Sequence, residues 1–298
     1  MSVTSAVGAR SLVVGATGQV GAALLPLLKD GAIASRRVQT GDGAPCIDLA
    51  ELAARPSLAH EALAPHNLSA IYCVGGATDV ERCESDVAWA MDTNCYGPAA
   101  LAAASTVLPF VYFSTEYVFD GNNGPYVETD ATNALSVYGR SKLEGERRIL
   151  DAHPNPLIVR TTVVYGPDRQ AKNFLYTLRR MLSEGQTMRV AADQISTPTY
   201  NADLARATVE LVERGASGLF HISGREILSR YDFAKLAASV LGLDGTLLLP
   251  ISTVALNQRA PRPLNAGLLT NKLRATLRHT TMRSNAEAIA AWQQQEAA

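Results

Sequence analysis

The sequence predicts an α/β fold, a doubly wound parallel sheet followed by a smaller C-terminal lobe. Three observations carry that prediction. Apolar, strand-like runs alternate with helix-length segments through residue 165, which is the pattern of successive βαβ units. Leu12-Val13-Val14 and Phe110-Val111-Tyr112-Phe113 are unbroken apolar runs, as expected of parallel strands covered on both faces. The first of these runs leads straight into a turn punctuated by Gly15, Gly18 and Gly21.

In chain order, the first strand is expected over residues 11–15 and the first helix over 20–29. The turn between them holds Gly15, Thr17, Gly18, Gln19, Val20 and Gly21. It would let backbone approach a pyrophosphate, whose charge then meets the unpaired N–H groups at the helix start. A purely structural turn is the plain alternative. A second strand lies within 34–40, and its end bears on cofactor choice. If the strand spans 37–40, Asp42 is the better placed residue and would accept hydrogen bonds from a free ribose 2′-hydroxyl, as in NAD(H). If it ends near Ser35, Arg36 and Arg37 are well placed for the 2′-phosphate of NADP(H). Further strands are expected over 70–74, 110–114 and 157–162, and further helices over 49–63, 86–104 and 138–151. Asp48 precedes the first of these helices as a natural N-cap. Beyond Tyr165-Gly166-Pro167-Asp168 the alternation weakens, and Pro198, Pro250, Pro261 and Pro263 interrupt it. Residues 1–165 therefore read as a dinucleotide-binding domain. Residues 166–298 read mostly as a substrate-binding lobe, with some segments returning to the sheet.

Composition narrows the function. The 298 residues carry a net charge of −1, with no electrostatic footprint for nucleic acid or an anionic membrane. Small-molecule chemistry is the better expectation. Cys46, Cys73, Cys83 and Cys95 show neither Cys-x-x-Cys spacing nor a histidine cluster, so no zinc site, other metal site or disulfide framework is indicated. The longest apolar run, residues 98–113, is broken by Ser105, Thr106 and Pro109. Nothing resembles a targeting signal or a membrane span, and the expectation is a cytoplasmic protein.

The chemistry centres on Tyr138 and Lys142, whose four-residue spacing puts a phenol and an ammonium on one helical face. A nearby positive charge favours phenolate and moves the tyrosine pKa down from its ordinary value. A partly exposed amphipathic helix is the plain alternative. Ser114 and Thr115 fall where a strand ends, the edge at which an open α/β sheet binds ligands. A hydroxyl there can hold a carbonyl oxygen and stabilise the charge that develops on it, or can merely start a turn.

Together, Gly15-x-x-Gly18-x-x-Gly21, Thr115, Tyr138 and Lys142 resemble the site of an extended short-chain dehydrogenase/reductase with a Rossmann-type fold. Within that superfamily the chain resembles the dTDP-4-dehydrorhamnose reductases and the related methionine adenosyltransferase β-subunits. Six stretches carry the likeness, over residues 76–84, 114–121, 125–130, 136–146, 193–199 and 262–265. The resemblance implies an NAD(P)-dependent oxidoreductase that reduces a keto group on a nucleotide-activated deoxysugar, with NADP(H) favoured over NAD(H). Tyr138 would protonate the alkoxide, Lys142 would bind the nicotinamide ribose and lower the phenol's pKa, and Thr115 would orient the carbonyl. It extends the cofactor set to Asp48, Leu49, Gly75, Gly76, Ala77 and Asn94, the last holding a water or backbone group of a proton relay. The implied substrate set is Ser114, Glu116, Tyr117, Val163, Asn173, Gln194 and Arg262, with Arg262 on the diphosphate.

Three comparisons refine these expectations. Nucleotide-sugar dehydratases of the superfamily carry Thr-Asp-Glu where this chain has Thr115-Glu116-Tyr117, so carbonyl reduction is favoured over dehydration. Relatives carry an aromatic residue where this chain has Val163, and Asn-Ala-Ala where it has Cys73-Val-Gly. The sugar is thus left open, and a sugar-nucleotide epimerase or a non-catalytic regulatory subunit remains as the alternative. A homodimer paired through helices 86–104 and 138–151 is the expected assembly.

Overall fold

The computed structural model describes residues 8–28, 31–38, 41 and 43–297. Five strands, β1 (Arg10–Val14), β2 (Ala32–Ala34), β3 (Leu68–Cys73), β4 (Phe110–Thr115) and β5 (Leu157–Thr161), form one sheet with the later strand Gly218–His221. The order is β2, β1, β3, β4, β5 and then Gly218–His221, and every neighbouring pair is parallel. From β1 the chain winds outward to β2 and then crosses back to β3. The direction of winding reverses between β1 and β3, and the crevice at such a reversal is where open α/β sheets bind ligands.

Helices α1 (Gln19–Leu24), α2 (Leu49–Ala54), α3 (Leu58–Leu63), α4 (Val80–Ser85), α5 (Val87–Met91), α6 (Gly97–Ala103) and α7 (Val137–Ala152) connect the strands. Strand side chains alternate between two apolar layers. Val13, Tyr72, Val111, Phe113 and Val159 pack with Leu24, Leu204 and Leu211, while Leu12, Ile71, Phe110, Tyr112 and Ile158 pack with Leu52, Leu101 and Ile149. Coverage on both faces is why these strands are apolar throughout. A further core gathers Tyr165, Leu175, Leu178, Phe233, Ile289 and Trp292. The C-terminal half thus builds its own apolar centre while returning one strand, Gly218–His221, to the large sheet.

Several boundaries differ from the sequence expectation. The second strand ends at Ala34, before the arginines. The helix expected over 49–63 is two helices, because Pro56 disfavours helical geometry at Arg55, which sits at φ −136° and ψ 77°. The first helix stops at Leu24 and tightens into a 3₁₀ turn, Leu25–Leu27, around Pro26. The helix expected over 86–104 starts at an Asp86 cap, which accepts from the Trp89 amide at 3.1 Å, and contains a π turn, Asp92–Tyr96. No helix among the described residues is long and apolar enough to cross a membrane.

His221, at the end of the edge strand, is fully buried. One ring nitrogen lies 3.3 Å from the Leu269 carbonyl. Burial pulls the imidazole down to about 4, against an opposing pull from Glu128. A histidine whose folded pKa lies below its unfolded value of about 6.5 contributes stability fully above the unfolded pKa. That contribution is lost as pH falls toward the folded one. The melting temperature of the wild type should therefore drop more steeply between about pH 7 and about pH 4.5 than that of His221→Asn, which keeps a donor but cannot titrate there. Parallel pH profiles would contradict this.

Candidate active site

The crevice at the sheet reversal is a cleft of about 660 Å³ whose walls include Gly15 to Gly18, Ser35 to Val38, Ile47 to Ala50 and Val74 to Gly76. Gly15 has φ +89°, and a Cβ there would lie 2.5 Å from the Gly75 amide nitrogen. Only glycine permits both that conformation and that approach. Thr17 and Gly18 line the floor, Gly18 caps α1 without a side chain, and Gly21 packs within the turn itself. Asp48 accepts from the Ala50 amide at 2.9 Å as the N-cap of α2, and with Leu49 it forms part of the wall. Arg36 and Arg37 lie just past the C-terminal end of β2 and line the same cleft. That is the placement suited to a 2′-phosphate. Asp42 lies outside the described residues.

Not every expected residue faces this cleft. Val20 packs into the core. The Gln19 amide donates to the Val164 carbonyl at 3.1 Å and its oxygen accepts from Asn173 at 3.2 Å, tying the glycine turn to the C-terminal half. Asn173 also caps helix Phe174–Ser183 and donates to the Gly166 carbonyl at 2.9 Å, so its polar atoms are committed to structure. Asn94 is fully buried in the π turn. Its side chain accepts from the Ala77 amide at 2.8 Å and donates to the Ala77 carbonyl at 3.1 Å and to Ser141 at 2.9 Å. It therefore fixes the turn at Gly75, Gly76 and Ala77 from behind. The π turn also leaves the Asn94 carbonyl to accept from the Tyr112 hydroxyl.

The cleft runs toward a second cavity, about 270 Å³, lined by Thr78, Ser114, Thr115, Glu116, Tyr117, Tyr138, Val163 and Arg230 among others. Thr115 and Tyr138 line this cavity together, and the Lys142 ammonium lies behind Gly76 in the wall of the first. The Thr115 hydroxyl donates to Glu116 at 2.8 Å. Lys142 is buried and donates to the Phe113 carbonyl at 2.9 Å. A Cβ on Gly76 would sit 2.8 Å from the Asn94 side-chain oxygen and 2.9 Å from the Lys142 ammonium. Gly76 thus leaves the space through which Lys142 reaches the cleft.

The electrostatics correct one expectation. Burial, then the Glu116 carboxyl, push the Tyr138 phenol above its ordinary value, against the expected lowering. Burial in turn pulls the Lys142 ammonium down to about 8. Burial thus disfavours the phenolate and keeps the phenol available as a proton donor, while one hydrogen of the Lys142 ammonium goes to the Phe113 carbonyl.

Substrate-side residues fall into three groups. Ser114 reaches the cavity, but its hydroxyl donates to the buried Glu146 carboxylate, so its hydrogen is committed there. Glu116, Tyr117, Val163 and Gln194 line a recess off the cavity; burial raises the Glu116 carboxyl above its ordinary value. Val163 has φ +39°, an outlier for a β-branched residue that stores strain beside the site. Arg262 donates to the Tyr117 hydroxyl at 3.1 Å and pairs with Glu81 at 2.7 Å, holding the 259–262 loop against α4. Sequence reading missed Glu81 and Arg230. Glu81 lies in the 76–84 stretch but nothing there marks its partner Arg262, and Arg230 belongs to no such stretch; both reach the site only through tertiary folding. Among the described residues no group of three or more acidic, histidine or cysteine side chains is arranged to hold a metal.

Over residues 9–296 the chain matches the family described as RmlD substrate binding domain. It belongs to that family. A dTDP-4-dehydrorhamnose reductase of Aggregatibacter actinomycetemcomitans is 32% identical over 281 residues, covering 89% of this chain and 92% of that protein. A methionine adenosyltransferase 2 subunit beta of Danio rerio is 34% identical over 191 residues, 62% of this chain but 59% of the subunit. Among solved structures, the Bacillus anthracis dTDP-4-dehydrorhamnose reductase in complex with NADP superposes with a TM-score of 0.87 at 28% identity, covering 96% of this chain and 99% of that one. The family likeness and the superposition both extend across the substrate side as well as the sheet.

Gly76→Ala isolates the contact between the cleft wall and Lys142. The added methyl must displace the ammonium or the Asn94 amide. NADPH affinity, read by nicotinamide fluorescence, should fall by about 10-fold or more, on the order of one lost charge-assisted hydrogen bond. An unchanged affinity would show that Lys142 does not reach the cofactor through this gap.

Proposed function

We propose that this protein is an NAD(P)H-dependent reductase of a keto group on a nucleotide-activated deoxysugar, a reductase of the dTDP-4-dehydrorhamnose type. The observation that carries this reading is a nucleotide-sized cleft, with Lys142 behind its Gly76 wall, leading to a second cavity lined by Thr115 and Tyr138. The chain's residues suit the cofactor. The glycine turn gives close backbone approach, and Arg36 and Arg37 stand where β2 ends, which favours NADP(H) over NAD(H). The relative from Bacillus anthracis was crystallised with NADP, in keeping with that choice.

When bound, the nicotinamide supplies a hydride to the substrate carbonyl. Thr115, turning its hydroxyl from Glu116 to the substrate, holds the carbonyl oxygen, and Tyr138, kept neutral by burial, gives its proton to that oxygen as negative charge develops. Lys142 holds the ribose hydroxyls and shares its remaining hydrogens with the Phe113 carbonyl. Arg262, braced by Glu81, takes the diphosphate by charge-assisted hydrogen bonds. With a tyrosine at position 117 no second carboxylate stands beside Glu116, so the site supports reduction rather than water elimination. Residues 1–165 serve as the cofactor domain and the remainder mostly as the substrate lobe, in a cytoplasmic enzyme that pairs through the outer faces of α5 to α7.

Consumption of NADPH in the presence of a panel of 4-keto sugar nucleotides tests the reading. Turnover of at least one is expected, and none would sink it. Tyr138→Phe should lower kcat by about 10²-fold or more while leaving NADPH binding intact; equal turnover would remove Tyr138 as the acid. Arg36→Ser combined with Arg37→Ser should raise KM for NADPH by about 10-fold or more and leave KM for NADH nearly unchanged. Equal effects on both cofactors would remove the 2′-phosphate assignment.

A second reading rests on the similarity to the Danio rerio subunit. On that reading the chain binds nucleotide without turnover and regulates a partner enzyme. Recovery of a stable partner enzyme by affinity capture, together with no NADPH consumption, would favour it.

A further inference from the structure

Beside Tyr138 the second cavity narrows into a recess of about 30 Å³ between Glu116, Tyr117, Val163, Gln194, Arg230 and Pro263. That is room for one small polar group. Two of the lining residues carry donors without acceptors. The Gln194 amide nitrogen is buried and has no hydrogen-bond partner among the described residues, a condition that is costly unless something else supplies an acceptor. The Arg230 guanidinium stacks 4.4 Å over the Phe174 ring and forms no ion pair among the described residues.

Arg230 differs in this from Arg262. The charge of Arg262 is already matched by Glu81 at 2.7 Å, with the Tyr117 hydroxyl at 3.1 Å. The charge of Arg230 is not matched by any carboxylate contact, and Arg262 nearby is a second cation. Glu116 lines the same recess but makes no ion pair with Arg230 among the described residues. The backbone keeps the two donors together, because the Arg230 amide donates to the Gln194 carbonyl at 2.8 Å.

We propose that this recess is an anion subsite, in which the substrate places a phosphate or carboxylate group between the Arg230 guanidinium and the Gln194 amide. The planar fork of a guanidinium matches either group through paired N–H donors. Two parts of the substrate can supply the anion, the diphosphate bridge or an acidic substituent on the sugar ring. The inference rests on the sugar-nucleotide reading above and makes Arg230 a residue that selects the substrate.

Calorimetric titration of the full chain with a nucleoside diphosphate, its glucose ester and its glucuronic acid ester, in both the thymidine and uridine series, tests it. Arg230→Met should weaken binding by about 10-fold to 100-fold, and Arg230→Lys, which keeps the charge and the stem over Phe174, should recover part of that loss. Loss confined to the glucuronic acid ester identifies a sugar carboxylate as the anion; equal loss for all three identifies the diphosphate. Gln194→Leu should weaken the same ligands as Arg230→Met. NADPH affinity, measured alongside, should stay at the wild-type value and confirms that the variants are folded. Wild-type affinity of the Arg230→Met and Arg230→Lys proteins for all three ligands would overturn the inference while leaving the reductase reading standing. Failure of the wild type to bind any ligand of either series would overturn the sugar-nucleotide reading and the inference with it.

Discussion

Helix α7 delivers its reactive side chains to the sheet edge because Glu146 is locked inside the core. Arg160 on β5 grips both carboxylate oxygens, at 2.9 Å and 2.6 Å, and Ser114 at the end of β4 donates to the same carboxylate. Tyr138, Lys142 and Glu146 are spaced four residues apart, so they share one face of the helix. Fixing the third therefore sets the rotation and height of the other two. Removing one partner of such a buried pair leaves an unmatched charge and typically costs about 3–5 kcal/mol.

The other side of the site is built to fit this helix. Lys142 ends on the Phe113 carbonyl, one residue before the strand end that carries Ser114 and Thr115. The π turn sends Asn94 between Ala77 and Ser141, and Ser141 in turn donates to the Tyr138 carbonyl at 2.8 Å. Gly76 leaves room for both Asn94 and Lys142. The cleft wall, the π turn and α7 are thus one hydrogen-bonded unit, and the nucleotide cleft meets the reactive phenol because of it.

Much of this was legible in the sequence where chemistry follows short spacings. The glycine turn, the Tyr138 and Lys142 pair and Thr115 at a strand end are each local patterns, and parallel strands covered on both faces reveal themselves as apolar runs. Helix limits were less legible: Pro56 splits one predicted helix and Pro26 shortens another, while the π turn has no clear local signal. The second strand's end at Ala34 could not be separated from later endings by composition alone. Glu81, Arg230 and the ion pair between Glu146 and Arg160 arise from contacts far apart in sequence, which no periodicity records. The expected lowering of the Tyr138 pKa is opposed by burial, which spacing does not record. Spacing put the two on one face, but burial and a backbone carbonyl decided where the ammonium points.

The account as a whole rests on α7 and the glycine turn framing one dinucleotide site. A crystal structure of the protein soaked with NADPH tests that most directly. The account predicts the 2′-phosphate against Arg36 and Arg37, the pyrophosphate over the turn from Gly15 to Gly18, and the nicotinamide ribose on Lys142 with the ring facing Tyr138. A cofactor bound with its nicotinamide away from Tyr138, or absent from the cleft at saturating concentration, would contradict it.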